Sequence, residues 1–277
     1  MLLGYNTNGF AHHDPYEAVE VLAEIGYRSV ALTLDHGPLD PYGVDFYRNA
    51  KQMRQLLDRF GMRSVIETGA RFLLDPRVKH EPTLVSEDPA GRRRRVEFLC
   101  RAIDAAAQLK SDCVSLWSGV LRDRIDDEEA LERLVAGLRE VVDYASEREV
   151  AVGFEPEPGM TIDTMASFER LCERLERPEL CLTLDVGHLH CLGETPIAER
   201  IRRFAVQLVN VHLEDMRAGI HEHLMFGEGE IDFRPVLQAL AEVGYAGGIH
   251  VELSRHSHMA PEAARRAFEF LSPLMPC

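Results

Sequence analysis

The sequence predicts an α/β fold, a single (β/α)8 barrel spanning residues 1–277. Three observations lead there. Short apolar runs of strand length alternate eight times with longer segments of helical period. Most of those runs are continuously apolar, as strands covered on both faces of a parallel sheet must be. Several helical segments stop at a glycine just before the next strand, where a left-handed cap suits that residue.

Taken in order, Leu2–Asn6 reads as the first strand and Asp14–Ile25 as its helix, stopped by Gly26. Ser29–Leu34 leads to Asp45–Phe60 and Gly61, and Ser64–Glu67 leads to Ala90–Leu109. Between those last two lies Thr68–Pro89, the longest irregular stretch. Loops of that length usually carry function or move, and this one leaves the strand end where barrel active sites form. Cys113–Trp117 precedes Glu128–Glu147, in which Leu131, Leu134, Val135 and Leu138 recur at i, i+3, i+4 and i+7. Val150–Glu155 precedes Met165–Leu175, and Leu180–Asp185 precedes Glu194–Phe204. Leu208–His212 precedes Phe233–Val243, stopped by Gly244; Gly248–Leu253 and Pro261–Leu271 close the series. A doubly wound open sheet is the alternative, disfavoured because no GxGxxG turn follows the first strand.

The formal net charge of -15 argues against long-range attraction to nucleic acid or to an anionic membrane. The N-terminal residues carry no basic stretch or apolar run of signal length, and nothing approaches the roughly 20 apolar residues of a membrane span. The expectation is a whole, soluble, cytoplasmic protein with neither nucleic-acid nor membrane partners. Cys100, Cys113, Cys172, Cys181, Cys191 and Cys277 form no CxxC pair and read as reduced small hydrophobes.

The chemistry sits where the strands end. The fifth strand ends at Glu155, the sixth at Asp185 with His188 just beyond, the seventh at His212 and the eighth at Glu252. Such groups are costly to bury unless paired or coordinated, and three carboxylates meeting at one mouth repel unless a cation lies between them. A mostly oxygen set with one imidazole suits one divalent ion, Mn²⁺ first, with Mg²⁺, Co²⁺ or Zn²⁺ as alternatives. The competing reading makes the four separate strand-end caps or ion-pair partners.

GFEPEPG, LDVGHLH, VHLED with a later GEGEID, and HVELS together resemble the xylose isomerase-like barrel superfamily. That group holds sugar-phosphate isomerases and epimerases, ketose 3-epimerases, inosose dehydratases and endonuclease IV. The resemblance covers nearly the whole barrel and is concentrated in its second half. It implies that Glu155, Asp185, His212 and Glu252 ligate the metal and that His188 binds substrate. It also places Arg217 near a substrate-contacting arginine of the epimerases, and implies a homo-oligomer. A metal that chelates a carbonyl and a neighbouring hydroxyl acidifies the adjacent C–H and stabilises an enediolate. The expected activity is isomerisation or epimerisation of a small sugar-like substrate, with Glu155 and Glu252 as the acid/base pair. A dehydratase or lyase acting on a keto-cyclitol or 3-keto-glycoside would use the same site. An endonuclease IV-like nuclease would need histidines where this chain has Glu67 and Trp117. A barrel that only binds a metabolite is the non-enzymatic alternative.

Several neighbours stay open on sequence alone. Glu157 faces the same way as Glu155 if the strand continues past Pro156; otherwise it is a solvated loop charge. Trp117 serves as a pocket wall or as core. Glu67, Asn6, Asn8, Arg71, Lys79 and His80 are further pocket candidates. The segment His221–Asp232, with His223 the stronger and His221 the weaker substrate contact, reads as a glycine-rich loop carrying Glu228 and Glu230. Either its backbone N–H groups approach a ligand, the reading preferred, or it is simply a mobile loop ending in an Asp232 N-cap. The run Arg92–Arg95 reads as a solvated helix face in preference to a phosphate site.

Overall fold

Eight parallel strands close on themselves in the computed structural model, which describes residues 1–276. In chain order they are β1 (Leu2–Asn6), β2 (Ser29–Thr33), β3 (Arg63–Glu67), β4 (Cys113–Leu116), β5 (Ala151–Phe154), β6 (Leu180–Asp185), β7 (Leu208–Leu213) and, after a small hairpin, β10 (Gly248–Val251). The hairpin is β8 (Asp215–Arg217) and β9 (Ile220–Leu224), paired antiparallel outside the barrel. Closure comes from β1, which pairs with β2 on one side and β10 on the other. The helices are α1 (Pro15–Ile25), α2 (Phe46–Phe60), α3 (Pro89–Leu109), α4 (Asp127–Ser146), α5 (Met165–Leu175), α6 (Val186–Cys191), α7 (Ile197–Arg203), α8 (Phe233–Glu242) and α9 (Ala260–Leu271). Each strand of the barrel is followed by at least one of them, as the apolar runs required. The stripe Leu131, Leu134, Val135 and Leu138 of α4 is buried against the barrel's outer face. Gly61 ends α2 at φ 61, a left-handed conformation that costs glycine nothing.

Three local features depart from the sequence reading. The six residues of α6 follow β6 without a loop, too short a helix for its period to register. The segment after β7 is a hairpin, not simply a loop. The four-arginine run is divided: Arg93 and Arg94 are exposed as expected, but Arg95 is buried. Its guanidinium lies 4.4 Å from the Trp117 ring centroid and 5.3 Å from that of Phe98, and donates to the Thr68 carbonyl at 2.8 Å. A buried arginine needs such partners, and two aromatic faces with a carbonyl supply them. Cys277 lies outside the described residues; the other five cysteines carry free thiols. No helix among the described residues is long and apolar enough to cross a membrane.

Inside the barrel, Ala31, Val65 and Cys113 form a small apolar cluster with Ala151 and Val209. Much of the remaining interior is polar. Thr183 donates to Ser115 at 3.0 Å. His250 lies between Ser29 and Asn210, with Nε2 2.9 Å from Ser29 Oγ and Nδ1 2.8 Å from Asn210 Oδ1. Gly4 and Gly248 make room for that imidazole, because a Cβ on either would overlap its ring. A bulge supplies the other partner. Leu182 pairs with Leu208 and Thr183 with Asn210, skipping Val209. Val209 and Asn210 therefore both reach the interior, one to the apolar cluster and one to the polar network.

Burial pushes the His250 pKa down from 6.5 to about 3, so the fold holds it neutral. As pH falls below 6.5 the unfolded chain takes up a proton that the native state refuses. The stability His250 contributes is thus present above pH 6.5 and lost progressively towards pH 3. Between pH 7 and pH 5 the loss is about 2 kcal/mol from this group. Urea unfolding of His250→Gln at the two pH values is expected to show a gap smaller by about that amount than the parent's.

Candidate metal and substrate site

The side chains at the barrel mouth are held by the strands themselves. The regular part of β5 stops at Phe154, yet the Glu155 N–H still donates to the Leu116 carbonyl at 2.8 Å. Glu252 is fixed the same way beyond β10, donating to the Leu213 carbonyl at 2.9 Å. Asp185 ends β6 and caps α6, its Oδ1 accepting from the His188 N–H at 2.7 Å. That leaves Asp185 Oδ2 buried with no partner. His212 of β7 turns its Nδ1 towards all three carboxylates: 3.1 Å to Glu155 Oε1, 2.9 Å to Glu252 Oε2 and 3.9 Å to Asp185 Oδ2. One donor atom from each of Glu155, Asp185, His212 and Glu252 lies within 4.8 Å of the others. Three carboxylates, one imidazole nitrogen and an orphaned buried oxygen fit a single divalent cation.

The four groups also set one another's charge. Burial, with Glu252 and Asp185 adding to it, pushes Glu155 up to about 8 against the pull of His212. Burial opposes charge on Glu252 too, but the neighbouring His212 outweighs it and holds that carboxyl below the usual range. Burial should likewise neutralise His212, yet Glu155, Glu67 and Glu252 keep it charged well above its ordinary pKa. A buried imidazolium thus offsets part of the repulsion among the carboxylates. Glu214, two residues past His212, is fully buried and is driven to its neutral form by burial and by Asp185. It fits only because position 187 is glycine; a Cβ there would overlap its Oε1.

A cavity of about 400 Å³ opens over the cluster. Of the residues expected from sequence, Glu67, Trp117, Glu155, Glu157, His188, His212, His223 and Glu252 line it, and so do Asn6, Asn8, Arg71, Lys79, His80 and His221. Trp117 is both wall and buried residue, with His80 edge-on to it at 5.5 Å and Arg95 behind. Asn8 braces Glu252, donating to Oε1 at 2.8 Å. His188 is buried, and burial pushes its pKa down to about 4. Its Nδ1 lies 3.2 Å from the Pro156 carbonyl and therefore carries the proton; Nε2 is left as an unpartnered acceptor. His221 and His223 stand beside it, with ring centroids 4.8 Å and 6.1 Å away.

Two of the expected features are placed away from the cavity. Arg217 does not line the cavity; it is exposed on the hairpin and donates to the Glu228 carbonyl at 3.0 Å. The backbone of the glycine-rich segment is engaged within the protein. Gly227, Gly229 and Ile231 N–H groups point to the Asp215 carboxylate at 2.8, 2.9 and 3.1 Å. Asp232 does cap α8, accepting from Arg234 N–H at 3.1 Å. Asn210 escaped the sequence reading because an asparagine in an apolar strand carries no pattern, and its inward direction depends on the bulge.

A family model described as a xylose isomerase-like TIM barrel matches residues 19–274. L-ribulose-5-phosphate 3-epimerase of Escherichia coli is 25% identical over 248 residues, 89% of this chain and 84% of that protein. Inosose dehydratase of Lacticaseibacillus casei is 30% identical over 169 residues, 54% of this chain and 56% of that protein. The solved IOLI protein, described with a bound zinc atom, superposes with a TM-score of 0.78 at 18% identity, covering 99% of this chain and 98% of that one.

Asp185→Asn keeps the helix cap while removing one of the converging charges. Its metal-free form is expected to melt higher than the metal-free parent, and Mn²⁺, which should raise the parent's Tm, should no longer raise that of the variant. Differential scanning calorimetry with and without Mn²⁺ reads both.

Proposed function

The chain belongs to the xylose isomerase-like TIM barrel family, and from that premise we propose that it is a metal-dependent epimerase or isomerase of a small sugar-like polyol. The observation that carries the reading is the convergence of Glu155, Asp185, His212 and Glu252 at the strand ends, with Glu155 Oε1 3.1 Å and Glu252 Oε2 2.9 Å from His212 Nδ1. These four would hold one divalent ion, for which we favour Mn²⁺ over Mg²⁺, Co²⁺ and Zn²⁺. Bound there, the ion supplies Lewis acidity to a substrate carbonyl and acidifies the neighbouring C–H.

The protein's own groups then do the proton work. Glu155 follows β5 and Glu252 follows β10, with β6 and β7 between them in the barrel order, so they reach the cavity from different sides. One removes the proton beside the carbonyl; the other returns one to the opposite face or to the adjacent carbon. His188 Nε2 accepts a substrate hydroxyl, and Glu157 and His223 offer further polar contacts. The Trp117 face covers the C–H side of the sugar. The proposal includes a single-domain cytoplasmic enzyme, homo-oligomeric, with no nucleic-acid or membrane partner, in keeping with a net charge of -15.

The likeness to an inosose dehydratase favours one second reading, in which the same proton removal is followed by loss of a β leaving group. Incubation of the Mn²⁺-loaded protein in D₂O with a panel of ketoses and keto-cyclitols tests both. Deuterium at the carbon next to the carbonyl in a product of unchanged formula is the result expected for epimerisation. Loss of water or an aglycone selects elimination. Turnover of a substrate without any solvent label overturns proton transfer by Glu155 and Glu252.

A further inference from the structure

We infer that Glu67 is a positioning residue, which fixes His212 with its proton on Nε2 and its lone pair on Nδ1, and that a buried relay of Ser29, His250 and Asn210 holds this arrangement in place. The inference rests on the reading that His212 ligates a metal through Nδ1. The sequence put Glu67 among the pocket candidates, and it does line the cavity. Its Oε1 also reaches into the interior, 2.9 Å from His212 Nε2 and 3.2 Å from Asn210 Nδ2, and the residue is 8% exposed.

Proton positions along the relay follow from what each group can donate. His250 Nδ1 faces Asn210 Oδ1, a pure acceptor, at 2.8 Å, so Nδ1 carries the hydrogen. His250 Nε2 is then an acceptor, satisfied by the Ser29 hydroxyl at 2.9 Å. With Oδ1 held by His250, Asn210 must turn its amide nitrogen upward, where two acceptors compete for it. One is Glu67 Oε1; the other is His212 Nε2, 3.1 Å away. If Nε2 were bare, Asn210 would donate to it, and the imidazole proton would move to Nδ1, among the carboxylates, where it blocks the ligand atom. The Glu67 carboxylate prevents this. As an anion it draws the Nε2 proton and the Asn210 proton to the same oxygen, leaving Nδ1 free. The same asparagine that supports the site in the presence of Glu67 opposes it when that charge is gone.

The relay is built, not incidental. It spans β2, β10, β7 and β3, needs the glycines at positions 4 and 248 to admit the His250 ring, and needs the β7 bulge to aim Asn210. A carboxylate on the second nitrogen of a ligating histidine raises that ligand's basicity and fixes its ring, an effect commonly worth about 10- to 100-fold in metal affinity.

The test compares the full-length parent with Glu67→Gln, which keeps the shape and removes the anion. Mn²⁺ affinity by electron paramagnetic resonance is expected to fall about 10- to 100-fold in the variant. Glu67→Asp is expected to recover part of it. In the diamagnetic Zn²⁺-loaded parent, ¹⁵N-histidine spectra should show His212 ligated through Nδ1 with a hydrogen-bonded proton on Nε2. Equal Mn²⁺ affinity in parent and Glu67→Gln, or a proton-free Nε2 in the loaded parent, overturns the inference and leaves the metal reading intact. A parent that binds no divalent ion at all overturns the metal reading, and this inference with it.

Discussion

Mutual repulsion among buried carboxylates at the barrel mouth is the constraint around which the rest of this structure is arranged. Glu155, Asp185 and Glu252 approach a common point while buried or nearly so, and Glu67 and Glu214 stand directly behind them. Burial removes the water that would screen such charges, so every contact there is stronger than at the surface. The fold answers in two ways. Some acids are driven neutral, as Glu214 is, and His212 is kept positive against its own burial. A cation held at that point would let the carboxylates ionise and would free the His212 nitrogen.

Bringing the groups that close required local departures from ideal barrel geometry. Position 187 lacks a Cβ where Glu214 comes in, positions 4 and 248 lack one where His250 lies, and β7 carries an extra residue. Asp215 gathers three backbone N–H groups of the segment before α8, which fixes the hairpin bearing His221 and His223 beside His188. A barrel optimised for stability alone would fill these places with branched apolar side chains. Here the interior gives up packing for direction, and each departure aims a polar group.

Most of the barrel was legible because its code is local. Continuous apolar runs, helical stripes such as Leu131–Leu138 and terminal glycines each act within a few residues, so the eight strands fell where the pattern put them. The four residues that converge were legible for a related reason: a charged side chain closing an apolar strand has few places to go. What escaped depended on distant partners. Arg95 looks like Arg93 and Arg94 in sequence, and only the rings of Phe98 and Trp117 reveal why it is buried. Arg217 lies at a suggestive distance from His212 along the chain, but the hairpin turns it outward. Asn210 and His250 sit in runs that read as plain strand, and their roles exist only once β7 bulges and two glycines on neighbouring strands leave space.

The mouth is chemically divided, and the division bears on what it accepts. One side is the acid cluster. The other is a group of imidazoles, of which His188 and His221 are pushed towards their neutral forms by burial. The cations lie further out and are mostly engaged: Arg71 is paired with Asp35 at 2.5 Å and Arg255 with Glu222 at 3.1 Å, leaving Lys79 as the rim cation in no ion pair among the described residues. At the centre the carboxylates surround the His212 nitrogen, and the neutral imidazoles of His188 and His221 stand beside them. A phosphate at the rim would have to displace Asp35 from Arg71 before gaining a second cation. The mouth thus separates its groups in space: acids at the centre, acceptors such as His188 Nε2 beside them, and cations at the rim, Arg71 and Arg255 held there by their own carboxylate partners.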